Sequence, residues 1–316
     1  MSVPSLIIRQ LENPDNRRIV VISDIHGELD LFKRLLDKVG FCDDDILVIL
    51  GDFYLKGSQQ EETFHYVMEL DKQPNVHVLR GNCEWWREDF YTDQMWDWVC
   101  KLPIILEGED MVFVHAALED KPLDEQDVLK CLTTFAFMEI YKGAAFDRWV
   151  VVGHCPTVNY CYKTPCYAPI FDNEKKIISI DGGIVVKSSG QLNALIINSR
   201  HDFDWMFVDN FPVVTIKHHQ QHMGTDGPTN ITFLDRLIEI VEHGEEFSKV
   251  RHKSGKIIEV PTDKIWQDDE GRDCIGDFAT DAYLPVMEGD ELSVIATYSN
   301  KIFAKNKSGY AGWVNL

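Results

Sequence analysis

The chain lacks any long apolar run and any excess of positive charge. Its 316 residues contain no stretch of about 20 apolar residues of the kind that spans a bilayer. No apolar segment follows a basic start at the N-terminus, so we expect no signal peptide. Lys and Arg number 31 against 52 Asp and Glu, which gives a formal net charge of −21. This charge is a poor match for nucleic acid or an anionic membrane, and we expect neither as a partner.

The cysteines lack the spacing of a structural metal site. Eight are present, but the cluster Cys155, Cys161 and Cys166 contains no Cys-x-x-Cys pair. Without a secretory context, we interpret them as reduced thiols and expect a cytoplasmic protein. A hydrophobic content of 45% is ordinary for a globular protein, so a core can be buried.

Strand-like and helix-like segments alternate through the first 200 residues. The patterns predict strands over 18–22, 45–50, 76–79, 111–114 and 149–152, and helices over 28–39, 59–70, 84–99 and 125–141. This alternation is typical of a mixed α/β fold, in which polar loops at the carboxyl ends of strands form the site. Short strands over 177–181, 184–187 and 191–197 are predicted to form an antiparallel meander that completes a second sheet.

The C-terminal third contains a weak internal repeat. Asp235-Arg-Leu-Ile-Glu-Ile240 resembles Asp290-Glu-Leu-Ser-Val-Ile295, and Lys253-Ser-Gly255 resembles Lys307-Ser-Gly309. Each copy predicts several short strands with a Lys-Ser-Gly hairpin turn.

The end of the second copy, Gly309-Tyr-Ala-Gly-Trp-Val-Asn315, resembles small all-β barrels of the Src-homology (SH3-like) type. Chance similarity of β-turn residues is the alternative. We therefore predict three domains, over residues 1–203, 204–268 and 269–316. A peptide is the expected ligand of the tail barrels, which could equally cap the active-site face.

Polar side chains follow the apolar runs of the first 200 residues at their carboxyl ends. They are Asp24, His26, Asp52, Asn82, His115 and His154. Carboxylate, amide and imidazole donors suit Mn, Fe or Zn better than Ca. A carboxylate has two oxygens, so Asp52 could bridge two ions. A lone histidine at a strand end is more often structural, but the whole set predicts a binuclear centre.

These motifs resemble the calcineurin-like metallophosphoesterase superfamily, especially its phosphoprotein phosphatase branch. That branch includes bacterial Ser/Thr protein phosphatases and symmetrical diadenosine tetraphosphatases. The matching segments are Asp24-Ile-His-Gly27, Gly51-Asp52, Gly81-Asn-Cys-Glu84, Val114-His115 and Gly153-His-Cys-Pro156. The resemblance covers residues 1–200 and implies a four-layer α/β/β/α sandwich.

The resemblance also implies a division of the metal ligands. Asp24, His26 and Asp52 would hold one divalent ion. Asp52, Asn82, His115 and His154 would hold the second. We expect manganese, with iron or zinc as alternatives.

The chain departs from this family pattern at three positions. Cys83 stands where the family has the histidine that serves as general acid. Leu55 stands where the family has the Asp that orients this histidine, and Lys56 replaces an Arg that holds a phosphate oxygen. A proton-donating pair is therefore missing while the ligand set is intact. For Cys83, proton donation, redox sensitivity and simple space filling all remain open.

The resemblance implies hydrolysis of phosphate esters by two-metal chemistry. Ions about 4 Å apart would polarise the phosphoryl group, and a bridging hydroxide would attack phosphorus. Asp52, Asn82, Cys83 and Lys56 are the predicted catalytic residues. Lys56, Arg80 and Asn82 are predicted to contact the substrate, and for Arg80 a structural ion pair is the alternative.

Three functions compete at this point. The first is a phosphatase of the Ser/Thr protein phosphatase kind, acting on a phosphorylated protein or a small phosphoester. The second is a hydrolase of dinucleoside polyphosphates, and the third is a pseudophosphatase that binds without turnover. Loss of the general acid predicts a preference for activated esters and anhydrides, since such acids supply about 10²- to 10⁴-fold.

Overall fold

The computed structural model describes residues 3–13, 15–86, 88–199, 202–221, 227–275, 277 and 279–316. The chain divides into two compact units that interleave along the sequence. The first contains the residues up to Thr157, Pro169–Val186 and Gly190–Asp209, and the second contains Val158–Ala168, Lys187–Ser189 and Asn210–Leu316. The boundary predicted between residues 203 and 204 falls inside a strand of the first unit, Asp202–Val208.

The strands of the first unit form two sheets. They are Ile8–Gln10 (β1), Ile19–Ile22 (β2), Ile46–Ile49 (β3), Val76–Val78 (β4), Ile105–Glu107 (β5), Met111–Val114 (β6), Trp149–Val152 (β7), Ile170–Asp172 (β8), Ile177–Ser179 (β9), Leu192–Ser199 (β10) and Asp202–Val208 (β11). One sheet has the order β11-β10-β2-β3-β4, and the other has the order β1-β5-β6-β7-β9-β8. Within the first sheet β2, β3 and β4 are parallel, and within the second β6, β7 and β9 are parallel.

The helices of the first unit are Leu29–Val39 (α1), Gln60–Leu70 (α2), Asp93–Lys101 (α3), Val128–Thr133 (α4) and Phe137–Ile140 (α5). In α1, buried Phe32, Leu35, Leu36 and Val39 recur at helical spacing. The helix ends at Gly40, whose φ of 63° is the left-handed conformation that glycine adopts at helix C-termini.

Three apolar clusters give the first unit four layers. Alternate residues of a strand face opposite sides of its sheet, so Val21 and Val20 belong to different clusters. Val21 packs between the sheets with Phe113 and Val151 of the other sheet. The outer face of the first sheet is covered by α1, α2 and α3, and the outer face of the second by α4 and α5. This order of layers is the α/β/β/α arrangement that the family resemblance implied.

Two of the predicted helices are wrong in extent. The helix predicted over 84–99 is a single 3-10 turn, Cys83–Trp85, followed by α3, because the Thr92 side chain accepts the Met95 N–H and starts the helix there. The helix predicted over 125–141 is broken into α4 and α5, since Ala136 has a left-handed φ of 59°.

The predicted meander after Gly153 is also wrong. Residues 184–187 form turns rather than a strand. The other two predicted strands belong to different sheets: β9 pairs with β7, and β10 pairs with β2. Both are buried on two faces, so their apolar runs carry no information about which sheet they join.

The regular secondary structure described in the second unit consists mainly of β-strands. These are Val213–Thr215 (β12), Asn230–Ile231 (β13), Ile238–Glu242 (β14), Phe247–His252 (β15), Ile257–Pro261 (β16), Ile265–Gln267 (β17), Asp273–Ile275 (β18), Ala279–Thr280 (β19), Glu291–Thr297 (β20), Lys301–Lys305 (β21) and Ala311–Asn315 (β22). β14-β15-β16 and β20-β21-β22 are both antiparallel meanders with a bulge between their first two strands. Both Lys-Ser-Gly segments form the predicted hairpin turns, with Gly255 and Gly309 at φ of 87° and 75°. The internal repeat is thus a repeat of structure.

The two predicted tail domains exchange strands. β12 pairs with β20, and β13 pairs with β19, so both pairings cross the boundary predicted between residues 268 and 269. The assignment to barrels of the Src-homology type stays a prediction. Every helix in the described part of the chain is too short or too polar to cross a membrane.

We expect Gly40→Ala to lower the free energy of unfolding by about 1 kcal/mol, because a left-handed backbone strains any residue with a Cβ. An added Cβ would meet no atom within 4 Å, so backbone strain alone is measured. Urea denaturation followed by tryptophan fluorescence gives the change in midpoint. Asp37→Ala, at an exposed position of the same helix, is the control and should leave the midpoint nearly unchanged. An unchanged midpoint for Gly40→Ala would contradict this account of the helix end.

Candidate metal centre

The predicted ligands occupy loops that leave parallel strands at one edge of each sheet. Asp24 and His26 follow β2, Asp52 follows β3 and Asn82 follows β4. In the second sheet, His115 and His154 follow β6 and β7. Parallel strands bring their carboxyl ends to a common edge, and the facing sheets bring the two edges together.

The loops after β3 and β4 touch along their backbones. A Cβ on Gly51 would lie 2.2 Å from the Gly81 nitrogen, so this approach requires glycine at position 51. Glu84 holds the same two loops through its buried carboxylate. Its Oε2 accepts the N–H groups of Asp52 and Gly81, both at 2.8 Å, and its Oε1 accepts the N–H of Phe53 at 3.1 Å. The Asp52 backbone is therefore held in place by the loop after β4, which also contains Asn82.

The two carboxylate oxygens of Asp52 face different partners. Oδ1 accepts the Cys83 N–H at 2.8 Å and lies 3.5 Å from His115 Nε2. Oδ2 accepts the Cys83 thiol at 3.0 Å and lies 4.0 Å from His26 Nε2. Asp52 therefore lies between two sets of donor atoms, as a bridging carboxylate would.

The first set surrounds His115. Its Nε2 lies 3.0 Å from Asn82 Oδ1 and 3.2 Å from His154 Nδ1. Its Nδ1 lies 3.0 Å from the Leu50 carbonyl, which can only accept a hydrogen bond, so Nδ1 carries the proton. The lone pair of Nε2 then faces acceptor oxygens of Asn82 and Asp52. A backbone carbonyl that fixes the tautomer in this way is typical of metal-binding histidines.

The second set surrounds His26. Asp24 Oδ1 lies 3.7 Å from His26 Nε2, while Asp24 Oδ2 accepts the Ser23 hydroxyl and the His154 N–H at 2.5 and 2.9 Å. Asp24 is thus oriented so that one oxygen is left for the His26 side. His26 Nδ1 is buried and has no hydrogen-bond partner among the described residues.

Four of the predicted ligands have a left-handed backbone. The φ angles are 54° for Asp24, 50° for His26, 52° for Asp52 and 65° for His154. This conformation costs about 1–2 kcal/mol for a residue with a Cβ. Such strain clusters at functional sites, where the surrounding contacts enforce it.

Burial favours the neutral form of His26 and His154. It lowers the pKa of His26, and burial together with His115 lowers the pKa of His154 to about 4. Burial opposes ionisation of Asp52, but the neighbouring His115 and His26 outweigh it and lower the pKa of that carboxyl. Neutral imidazoles and an ionised carboxylate are the forms that bind a divalent ion.

The donor atoms fit a pair of divalent ions. Asp52 Oδ1, Asn82 Oδ1, His115 Nε2 and His154 Nδ1 would hold one ion, and Asp24 Oδ1, His26 Nε2 and Asp52 Oδ2 the other. On the His115 side acceptor atoms converge, and an ion between them would relieve the repulsion of their lone pairs. On the His26 side the Lys56 ammonium and the Cys83 thiol also lie among the acceptor atoms. Clusters of this kind are found at Asp52, His115 and His154, and at His26, Asp52 and Cys83.

The residues at the departures from the family pattern lie in different surroundings. Lys56 Nζ lies 3.2 Å from His26 Nε2, next to the second set of donors. Leu55 packs against the apolar cluster of the first sheet. Buried Arg80 donates from Nε to the Glu84 carbonyl at 3.1 Å and lies over the Trp96 ring. Neither contact is the ion pair that was the structural alternative, and the predicted role of Arg80 in substrate binding stays a prediction.

Two residues of the site were missed by the sequence reasoning. Glu84 was read only as part of a motif, although its position three residues after Gly81 allows it to reach back to that N–H. Asp181 follows β9, parallel to β7, and is absent from the predicted site residues. Burial and the charge of Asp24 raise its pKa, and its Oδ2 has no hydrogen-bond partner in the described chain. A buried Asp directly after a parallel strand is the signal that could have found it.

The comparison with known families identifies the first unit. The profile of the calcineurin-like phosphoesterase family matches residues 17–180, which is more than half of the chain. The chain belongs to this family. It therefore carries a metal-dependent phosphoesterase domain, as its sequence motifs predicted.

Curated relatives match over a shorter stretch. The chain is 37% identical over 68 residues to serine/threonine-protein phosphatase PP1-delta of Caenorhabditis elegans, covering 21% of this chain and 22% of the relative. It is 34% identical over 71 residues to the zinc-dependent endopolyphosphatase of Saccharomyces cerevisiae, covering 22% of this chain and 21% of that protein. The matched stretch spans about a fifth of the length of these relatives.

Two solved structures align with about two thirds of the chain. A putative diadenosine tetraphosphatase aligns with a TM-score of 0.49 and 17% identity, over 65% of this chain and 100% of its own. A serine/threonine phosphatase from Saccharomyces cerevisiae with similarity to human PP5 aligns with a TM-score of 0.48 and 14% identity, over 66% and 85% of the two chains.

We expect the chain, stripped of ions by a chelator, to bind two Mn²⁺ in a calorimetric titration. Asp52→Asn should weaken both binding events, because both donor sets use this carboxylate. His154→Ala should weaken one event and spare the other. Each loss should exceed the roughly 10- to 100-fold that loss of an outer-shell partner costs.

The control for this titration is Asp44→Asn, which removes an exposed carboxylate before β3, the strand that Asp52 follows. It should bind Mn²⁺ like the wild type. If Asp52→Asn weakened only one of two events, the bridging position of Asp52 would be refuted.

Proposed function

We propose that the chain hydrolyses phosphate esters and anhydrides at the Asp52 centre, with two divalent ions. The observation that carries this proposal is the pair of donor sets that share the Asp52 carboxylate, through Oδ1 on the His115 side and Oδ2 on the His26 side. The family match over residues 17–180 supports the reaction class.

The bound ions would polarise the phosphoryl oxygens and activate water as the nucleophile. The chain's own residues then have to hold charge and position the substrate. Lys56 is the cation beside the centre, with its Nζ 3.2 Å from His26. Its ammonium group would contact a phosphoryl oxygen as a point charge, without the two-pronged geometry of an arginine. The Asn82 amide would position the substrate from the other donor set.

The leaving group receives no proton from the positions that supply it in the resembling family. Leu55 packs into the apolar cluster of the first sheet and bears no proton donor. The Cys83 thiol donates to Asp52, which directs it toward the donor atoms. Burial and the charges of Asp52 and Glu84 raise the pKa of this thiol.

The consequence is a substrate preference. A serine alkoxide is a poor leaving group without a proton, whereas an aryl oxide or the phosphate of an anhydride departs more readily. This favours activated esters and dinucleoside polyphosphates over phosphoserine proteins. The complete donor sets argue against a pseudophosphatase, because binding without turnover would not require them.

We expect p-nitrophenyl phosphate and diadenosine tetraphosphate to be hydrolysed faster than a phosphoserine peptide by about 10²- to 10⁴-fold, the usual contribution of a general acid. Steady-state rates with Mn²⁺ measure this ratio, and Asp52→Asn gives the background. Equal or faster hydrolysis of the peptide would overturn the leaving-group argument. Binding of all three compounds with no turnover would instead support the pseudophosphatase.

The double variant Cys83→His, Leu55→Asp supplies the matched comparison. It restores both members of the missing pair and should raise the rate on the peptide more than the rate on p-nitrophenyl phosphate. Leu55→Asp alone has no histidine to orient and should leave the ratio of the two rates unchanged.

We expect Lys56→Gln to lower kcat/KM by about 10- to 100-fold, because a hydrogen bond to a charged group contributes about 1.5–3 kcal/mol. Lys56→Arg keeps the charge and should retain more activity. Lys33→Gln removes an exposed lysine of α1 and serves as the control. An unchanged kcat/KM in Lys56→Gln would exclude Lys56 from substrate binding.

A further inference from the structure

The Cys83 thiol lies among the metal-binding atoms. Its Sγ is 3.0 Å from Asp52 Oδ2, the same oxygen that faces His26 Nε2 at 4.0 Å. The ligand atoms of His26, Asp52 and Cys83 all lie within 4.8 Å of one another, and all three side chains are buried. The Cys83 sulfur therefore lies among the donor atoms on the His26 side.

The geometry points to Cys83 as a thiolate ligand of the ion on the His26 side. Asp24 Oδ1, 3.7 Å from His26 Nε2, is the fourth donor. The set then contains two carboxylate oxygens, one imidazole nitrogen and one sulfur. Zn²⁺ binds sulfur, imidazole nitrogen and carboxylate oxygen, so these kinds of donor suit it. This inference rests on the binuclear centre of the proposed function and assigns to Cys83 a role that replaces proton donation.

Coordination changes the bonding of the sulfur in a defined way. The S–H bond, which now donates to Asp52, breaks, and its proton goes to solvent. The electron pair that it leaves on Sγ bonds to the ion, and Asp52 Oδ2 is released from the thiol to bind the same ion. Release of one proton on metal binding is the ordinary behaviour of cysteine ligands.

A sulfur ligand makes the two halves of the centre different. The other set consists of Asp52, Asn82, His115 and His154 and offers oxygen and nitrogen only. Soft thiolate selects Zn²⁺, Fe²⁺ or Co²⁺ over Mn²⁺, whereas oxygen donors accept Mn²⁺. We therefore infer a mixed centre, with a thiophilic ion on the His26 side, in place of the manganese pair that the sequence led us to expect.

Cobalt absorption tests the assignment without reference to activity. The full chain, stripped of ions, is titrated with Co²⁺ under reducing conditions while its absorption is recorded. A thiolate bound to Co²⁺ gives a charge-transfer band in the near ultraviolet, which oxygen and nitrogen ligands do not give. We expect this band in the wild type and in Cys100→Ser, a control that removes an exposed cysteine.

Cys83→Ser should lose the near-ultraviolet band while calorimetry still shows Co²⁺ bound at the other donor set. Its preference for Zn²⁺ over Mn²⁺ should fall at least about tenfold, since even outer-shell partners contribute 10- to 100-fold. If this variant fails to fold, Cys83→Ala takes its place, because the wild-type band could also come from another of the eight cysteines.

The outcomes separate this inference from the proposed function. A wild type that binds two Co²⁺ ions and hydrolyses p-nitrophenyl phosphate but lacks the thiolate band overturns the role of Cys83 alone. Persistence of the band in Cys83→Ser does the same. A wild type that binds no divalent ion overturns both proposals.

Discussion

The arrangement of the metal-binding side chains depends on one buried carboxylate, that of Glu84, which is not itself a predicted metal ligand. Glu84 accepts three backbone N–H groups, from Asp52, Phe53 and Gly81, and so joins the loops that follow two neighbouring strands. Buried N–H groups left without a partner would each cost about 1–3 kcal/mol. These hydrogen bonds therefore hold the Asp52 backbone in place whether or not an ion is bound. They fix the position from which its carboxylate reaches both donor sets.

From this fixed point the centre is built outward in two directions. On one side a tautomer is set by the Leu50 carbonyl, which turns His115 Nε2 toward Asn82. On the other side Ser23 occupies one oxygen of Asp24 and leaves the second to face His26. His115 and Asp24 are thus each oriented by a neighbour that takes their other polar atom. Loss of such an outer contact typically lowers metal affinity by about 10- to 100-fold.

The fold of the first unit and the position of its site could largely be predicted from the sequence. Apolar β-branched runs mark β2, β3, β6 and β7, and the polar residues after them converge because parallel strands end at one edge. The failures have local causes. Thr92 caps α3 far inside a predicted helix, and Ala136 breaks another with a left-handed φ. Strands of three residues, such as β1 and β5, are too short to show a period.

What the sequence could not supply was the direction in which side chains point. The motif Gly-Asn-Cys-Glu indicates that Cys83 replaces a histidine, but its spacing gives no sign that the sulfur faces Asp52. The same limit applies to Glu84, whose role follows from its contacts with a loop distant in sequence. In the second unit, the repeat predicted the hairpins, while the exchange of strands between its halves depends on tertiary pairing.

The left-handed backbone at Asp24, His26, Asp52 and His154 lowers the stability of the fold, while the side chains of the same residues supply the metal-binding atoms. Glycine at any of these positions would adopt the same φ angle without strain. A screen for variants with higher thermal stability is therefore expected to select glycine there. Every such gain removes a donor atom. Stability and metal binding are therefore opposed at these four positions, because the strained residues are the ones that supply the donor atoms.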